Sequence, residues 1–172
     1  AIDYAMPVAS AQVKSAILFA SLYAQGMTTI KEPSPSRDHT ERMFALFGMN
    51  ISASKNLISF GCGQRPVSPE KIFIPADFSS AAFFIVLGLI TQGSQFTLKN
   101  ISINPTRSML LRVLKRMGAD IRIINENKAF EPCADIVVKN STLRATEITS
   151  EEVPSMICLL YTSDAADEED SV

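Results

Sequence analysis

Ser10-Ala11-Gln12-Val13-Lys14-Ser15-Ala16-Ile17-Leu18-Phe19-Ala20-Ser21-Leu22-Tyr23-Ala24-Gln25-Gly26 is the stretch whose reading decides the fold. Its apolar residues fall on almost every face of a helix over 10–24, which predicts a buried helix. Gly26 follows where a C-terminal capping glycine belongs. Working outward, Thr28-Thr29-Ile30 reads as a short strand. Ser34-Pro35-Ser36 then breaks the chain ahead of a second helix over 38–47, with an Asp38 and Glu41 spacing like a capping box. Gly48 ends that helix, and 50–54 and 57–60 alternate like a strand pair.

Residues 71–140 run through the same succession. Ile72-Phe73-Ile74 reads as a strand, 79–91 as a second apolar helix closed by Gly93, and Phe96-Thr97-Leu98 as a strand. An amphipathic helix over 105–117 turns Leu110, Val113, Leu114 and Met117 inward and Arg112, Lys115 and Arg116 outward. Gly118 ends it, and 121–124 and 136–138 are strands. The offsets are nearly constant: Ser10 to Ser79 is 69 residues, Gly26 to Gly93 is 67, and Arg37 to Arg107, Gly48 to Gly118 and Ile51 to Ile121 are each 70. A fixed period of this kind points to a duplicated supersecondary unit, helix–strand–helix–strand–strand with a strand in front. The alternative is the ordinary alternation of any α/β chain. Pro66, Pro69 and Pro75 place a boundary between the units near 64–76, and 145–148 is read as the start of a third unit.

The 172 residues, 47% hydrophobic and 20% charged, are enough for one domain or two small lobes with an apolar core. The longest apolar run, 81–90, is about half a bilayer-spanning helix. No basic stretch leads into an apolar one at the N-terminus, so no signal peptide is expected and the protein is read as soluble. Net charge is −2, but five acids (Asp164, Asp167, Glu168, Glu169, Asp170) crowd the last nine residues. Without 159–172, 16 basic groups face 13 acidic ones, a balance of +3 that suits small anions and is too weak and scattered for nucleic acid. Cys62, Cys133 and Cys158 fit neither a zinc pattern nor a disulfide framework and are read as reduced cytosolic thiols. His39 is the single histidine, which argues against most transition-metal sites.

Candidate chemistry collects at helix starts. Ser10-Ala11-Gln12 opens the first helix and Ser36-Arg37 the second. Unpaired N–H groups and a partial positive charge there favour phosphate or carboxylate. A hydroxyl, an amide and a guanidinium would complete an oxyanion cradle. The competing reading makes Ser10 and Ser36 plain N-caps and Arg37 a solvated charge. Asp77 reads as a cap first, His39 as a helix-surface residue, and Met43, Met109 and Met117 as core. Residues alone lead to an anion-binding, duplicated α/β protein.

The strings themselves go further. Ser10-Ala11-Gln12-Val13-Lys14-Ser15-Ala16, Ser36-Arg37-Asp38-His39-Thr40-Glu41, Asp77-Phe78-Ser79-Ser80-Ala81-Ala82-Phe83, and Asn104-Pro105-Thr106-Arg107 with Met117-Gly118-Ala119-Asp120, in that order and spacing, resemble the 5-enolpyruvylshikimate-3-phosphate synthase family. The resemblance runs from Tyr4 to about Ile157 and covers roughly the middle two-fifths of a family chain. It implies an α/β fold of mixed sheets, an α-β prism of βαβαββ repeats in two lobes, incomplete here. Residues 1–73 would be the last unit of one lobe, and 74–157 the first unit of the second lobe and the start of the next.

The resemblance also implies a reaction. The 5-hydroxyl of shikimate 3-phosphate adds to C2 of phosphoenolpyruvate as its methylene carbon is protonated, and the tetrahedral ketal then loses that proton and phosphate to give the enol ether. This is a step of aromatic amino acid biosynthesis that uses no metal or organic cofactor. Ser10, Ala11 through its backbone, Gln12, Ser36 and Arg37 would hold shikimate 3-phosphate, with Gln12 also reaching phosphoenolpyruvate, while Lys14, Asp77 and Arg107 stay structural. The full-length protein is expected to be a cytoplasmic monomer with no nucleic-acid or membrane partner. Cys158 stands where the family has the Asp that accepts the substrate's proton, so no catalytic residue is expected in this chain and the fragment is expected to be inactive alone. Residues 158–168 resemble translated transposase-adapter sequence, and 158–172 are read as a non-native tail. Alternatives are a non-catalytic anion-binding fragment, and the sister enolpyruvyl transferase acting on a UDP-amino sugar.

Overall fold

The computed structural model describes residues 2–150, 152–156 and 159. Cys158 and the 160–172 segment therefore lie outside the described residues. The chain divides into two compact units, Ala1–Phe73 and Ile74–Val172.

The first unit runs β1 (Ile2–Ala5), α1 (Ala11–Ser21), β2 (Met27–Lys31), α2 (His39–Leu46), β3 (Ile51–Ser54) and β4 (Leu57–Gly61). Its sheet has the order β1-β2-β4-β3, with β1 parallel to β2 and the other pairs antiparallel. Strand alternation puts Thr28, Ile30, Ile58 and Phe60 on the buried face, where Ile30 pairs with Ile58 and Thr28 with Phe60. Leu18 of α1 and Phe44 of α2 complete this core, and the Phe44 ring meets Phe60 edge to face at 5.1 Å.

The second unit runs α3 (Phe78–Ile90), β5 (Gln95–Ser102), α4 (Met109–Arg116), β6 (Asp120–Asn127) and β7 (Cys133–Lys139), followed by a 3-10 turn at Val153–Ser155. Its sheet order β5-β7-β6 repeats β2-β4-β3 of the first unit. The leading strand expected at 72–74 is not formed. A single parallel bridge between Ala76 and Ile101 takes its place, with Ala76 N–H donating to Asn100 O (2.8 Å) and Ser102 N–H to Ala76 O (3.0 Å). Pro75 has no N–H to donate, and the Ile74 side chain stands 81% exposed. Residues 145–148 form no strand either.

Helix α4 begins four residues later than its sequence pattern suggests. Asn104 Oδ1 accepts from Thr106 N–H (2.9 Å) and Thr106 Oγ1 (2.7 Å), a local turn that competes with helix. Leu111 consequently joins Val113 and Leu114 in the core, and Leu110 and Met117 are half-buried. Helix α3 lies so close to its sheet that a Cβ on Gly88 would sit 2.6 Å from the Phe96 ring.

The two apolar helices are buried on one face only. In α3, Ile85 and Leu89 are fully buried while Phe83, Phe84, Leu87 and Ile90 are more than half exposed. In α1, Leu18 is buried and Phe19 is 54% exposed. Among the described residues each unit has one sheet, and one sheet covers one side of a helix.

Candidate functional site

The site forms where α1 begins. Ser10 is its N-cap: extended backbone (φ −143°) lets Oγ accept from Val13 N–H at 3.3 Å, while Lys14 N–H donates to Ser10 O at 3.0 Å. That leaves the Ala11 and Gln12 backbone N–H groups without an acceptor among the described residues. No acidic side chain occupies this first turn. Ser10 Oγ also donates to Gln12 Oε1 at 3.4 Å, which turns the amide carbonyl toward the cap. Beside these groups lies an open hollow of about 400 Å³ lined by Ala11, Gln12, Ser15, Arg37, His39 and Thr40. Arg37 is half-buried, and its guanidinium makes no hydrogen bond or ion pair among the described residues. Ser15 and Thr40 share a 2.6 Å hydroxyl pair that ties α1 to α2 at the hollow.

Of the residues singled out from sequence, Ser10, Ala11, Gln12 and Arg37 come together around this hollow. Ser36 departs from the expected N-cap geometry. It lies three residues before α2, and its hydroxyl donates to Glu32 Oε1. The capping box is also absent. Asp38 takes no cap hydrogen bond and accepts instead from Arg42 Nε at 2.8 Å. Glu41 is drawn inward by a buried ammonium: Lys14 Nζ lies 2.7 Å from Glu41 Oε1 and 3.1 Å from Glu32 Oε2. Sequence reasoning did not assign Glu32 or Glu41 to this neighbourhood. The signal was Lys14, a single charge inside an otherwise apolar helix, which requires a buried counter-charge.

The second unit carries the same skeleton with different chemistry. Asp77 caps α3, accepting from Ser80 N–H at 2.8 Å, and Arg107 stands two residues before α4 as Arg37 stands before α2. The matching caps are thus Ser10 and Asp77, 67 residues apart like Gly26 and Gly93, rather than Ser10 and Ser79. Here the arginine is spent internally: Arg107 Nη2 lies 3.2 Å from Asp77 Oδ1 and 2.6 Å from Ser79 Oγ. Burial alone would raise the Asp77 pKa, but bonds from Ser80 and Ser79 and the Arg107 charge hold it below its ordinary value. Lys14, Asp77 and Arg107, which the sequence reading leaves as structural, each pair with charged groups of their own unit: Lys14 with Glu32 and Glu41, and Asp77 with Arg107.

Among the described residues, no three His, Cys, Asp or Glu side chains are grouped to hold a metal, and no helix is long and apolar enough to cross a membrane. Cys62 and Cys133 are free thiols.

The helix–strand–helix–strand–strand order shared by the two units, with a strand leading the first and a single bridge leading the second, defines the class: a duplicated α/β protein with a hollow at the start of its first helix. The comparisons carry this to a family. The model of EPSP synthase (3-phosphoshikimate 1-carboxyvinyltransferase) matches residues 1–167. Over 155 residues the chain is 50% identical to the 3-phosphoshikimate 1-carboxyvinyltransferase of Petrotoga mobilis and 51% to that of Geobacillus kaustophilus, covering 90% of this chain and 36% of either relative. The solved EPSP synthase from Acinetobacter baumannii superposes with a TM-score of 0.85 at 46% identity, over 92% of this chain and 36% of that one. The chain belongs to the EPSP synthase family and has its mixed α/β fold. It spans little more than a third of the length of these relatives.

Proposed function

We propose that this chain serves the transfer of the enolpyruvyl group from phosphoenolpyruvate to the 5-hydroxyl of shikimate 3-phosphate, with release of phosphate. In this reading Ser10, Ala11, Gln12 and Arg37 hold shikimate 3-phosphate, Gln12 also reaches phosphoenolpyruvate, and Ser36 belongs to the grip through its place beside Arg37. The observation that carries it is the uncompensated Arg37 guanidinium beside a hollow that two free backbone N–H groups also line. An anionic substrate would meet a fixed dipole end and a planar cation there, both aligned before it arrives. Phosphate is the suited group because the site offers donors and positive charge and no acidic side chain in the first turn of α1.

The same reading assigns Ala1–Phe73 to the end of one lobe and residues 74–157 to the beginning of the next. Its support is the shared strand order of the two units. Family membership and the half-exposed helices α1 and α3 accord with a prism whose remaining repeats would cover them. The cytoplasm is the compartment this activity implies, and a monomer the expected state of the whole enzyme.

Titration of the chain with shikimate 3-phosphate, shikimate and inorganic phosphate, followed by calorimetry or ³¹P NMR, tests the proposal. Shikimate 3-phosphate is expected to bind at least about tenfold more tightly than inorganic phosphate, a difference of about 1.4 kcal/mol, and phosphoenolpyruvate to tighten it further. Equal affinity for the two phosphates would overturn the reading in favour of an unselective anion site.

A further inference from the structure

Lys14, Glu32, Glu41 and Ser36 form a connected polar cluster behind the hollow. Lys14 is 1% exposed, Glu32 3% and Glu41 6%. One ammonium serves two carboxylates, and Glu41 Oε2 is buried with no hydrogen-bond partner. As a stabilising device this is poor: a buried carboxylate oxygen left unpaired is unfavourable, and apolar packing of similar volume would hold the unit as well or better. The cluster does, however, join three segments at fixed points. Lys14 stands on α1 two residues after Gln12, Glu32 follows β2, and Glu41 sits on α2. Ser36 extends the chain of contacts by donating to Glu32, and Arg37 is its neighbour. A hydroxyl has one proton, so Ser36 in this state has none to offer a phosphate.

We propose that Lys14, Glu32 and Ser36 are positioning residues, which fix the 32–38 segment to α1 so that Arg37 is held at the edge of the hollow. Ser36 then acts on the ligand through Arg37 and not by contact. This inference rests on the proposed anion grip and deepens it. It also accounts for a charged residue in the middle of an apolar helix: Lys14 locates the loop that carries the binding cation relative to the free N–H groups of Ala11 and Gln12.

The test has two arms, both on the full chain. In the free chain, ¹⁵N relaxation reports order at the Arg37 amide. Ser36→Ala is expected to lower its order parameter from about 0.85 to below about 0.6, with the rest of the spectrum unchanged, and Ser36→Thr to restore it. An Arg37 amide as ordered in Ser36→Ala as in the parent overturns the proposal. The second arm is a double-mutant cycle of Ser36→Ala and Glu32→Leu on shikimate 3-phosphate affinity. Glu32→Leu leaves Lys14 paired one to one with Glu41. If Ser36 works through Glu32, each variant weakens binding about tenfold and the double variant no further; a product near a hundredfold means direct contact and sinks the idea. Should the parent chain bind no shikimate 3-phosphate while Ser36→Ala still loosens Arg37, the positioning role stands and the proposed ligand fails.

Discussion

Arg107 Nη2 lies 3.2 Å from Asp77 Oδ1, so the second unit answers its own arginine with its own helix cap. In the first unit the equivalent cap is the neutral Ser10, and Arg37 meets no anion among the described residues. One residue type at one cap position thus separates a paired arginine from an open one.

Arg37→Met is therefore expected to weaken shikimate 3-phosphate binding by about tenfold or more, the range for a charge-assisted hydrogen bond. Stability should move by no more than about 0.5 kcal/mol, because no folded-state partner is lost. Arg107→Met should do the reverse, lowering the melting temperature and leaving affinity alone. Calorimetric titration and thermal melting of both variants check the pair.

Asp77 also leaves a mark on the pH dependence of stability. Its folded pKa is held below the ordinary 3.8. The stability it contributes is present above the unfolded pKa and is lost as pH falls through the folded one. Asp77→Asn keeps the cap and removes the titration. Urea unfolding between pH 6 and pH 2 is expected to show the variant weaker at the upper end, with the gap closing toward the lower.

A second carboxylate is set by the turn after the second sheet. Glu152 is held near pKa 2, down from 4.5, chiefly by its bonds from Arg116, the shorter from Nη1 at 2.7 Å, and further by the Thr149 N–H. Carboxyl ¹³C shifts should titrate near that value, and Arg116→Gln should return the midpoint most of the way to 4.5. The stability that Glu152 contributes is present above the unfolded value and is lost as pH falls from there toward 2.

Lys14→Met strips from two buried carboxylates the one cation that pairs with them among the described residues. The expected loss is about 3–5 kcal/mol in chemical unfolding, typical of breaking a buried ion pair by removing one partner. Adding Glu32→Leu and Glu41→Leu removes the orphaned charges and should recover most of that loss.

Much of this was legible in the chain. The period near 70 residues and the terminating glycines at 26, 48, 93 and 118 announced a duplicated unit, since helix ends need a residue that accepts positive φ, and all four have it. Gathering Ser10, Ala11, Gln12 and Arg37 required only that two helix starts lie side by side. Fine boundaries escaped for local reasons, such as the Asn104 side chain delaying α4 and Pro75 suppressing a leading strand.

Local propensity, apolar patterning and capping chemistry are properties of neighbouring residues, and by itself the sequence determined the helices α1–α4, most of the strands and the family. Tertiary structure alone decided where charge is balanced. Whether Glu41 closes a capping box or meets Lys14, and whether an arginine is paired like Arg107 or open like Arg37, depend on residues far apart in the chain, and Ser36 anchors a loop on the nearby Glu32 that the distant Lys14 holds in place. Burial sets those choices, because a desolvated charge takes whichever partner the fold brings within reach.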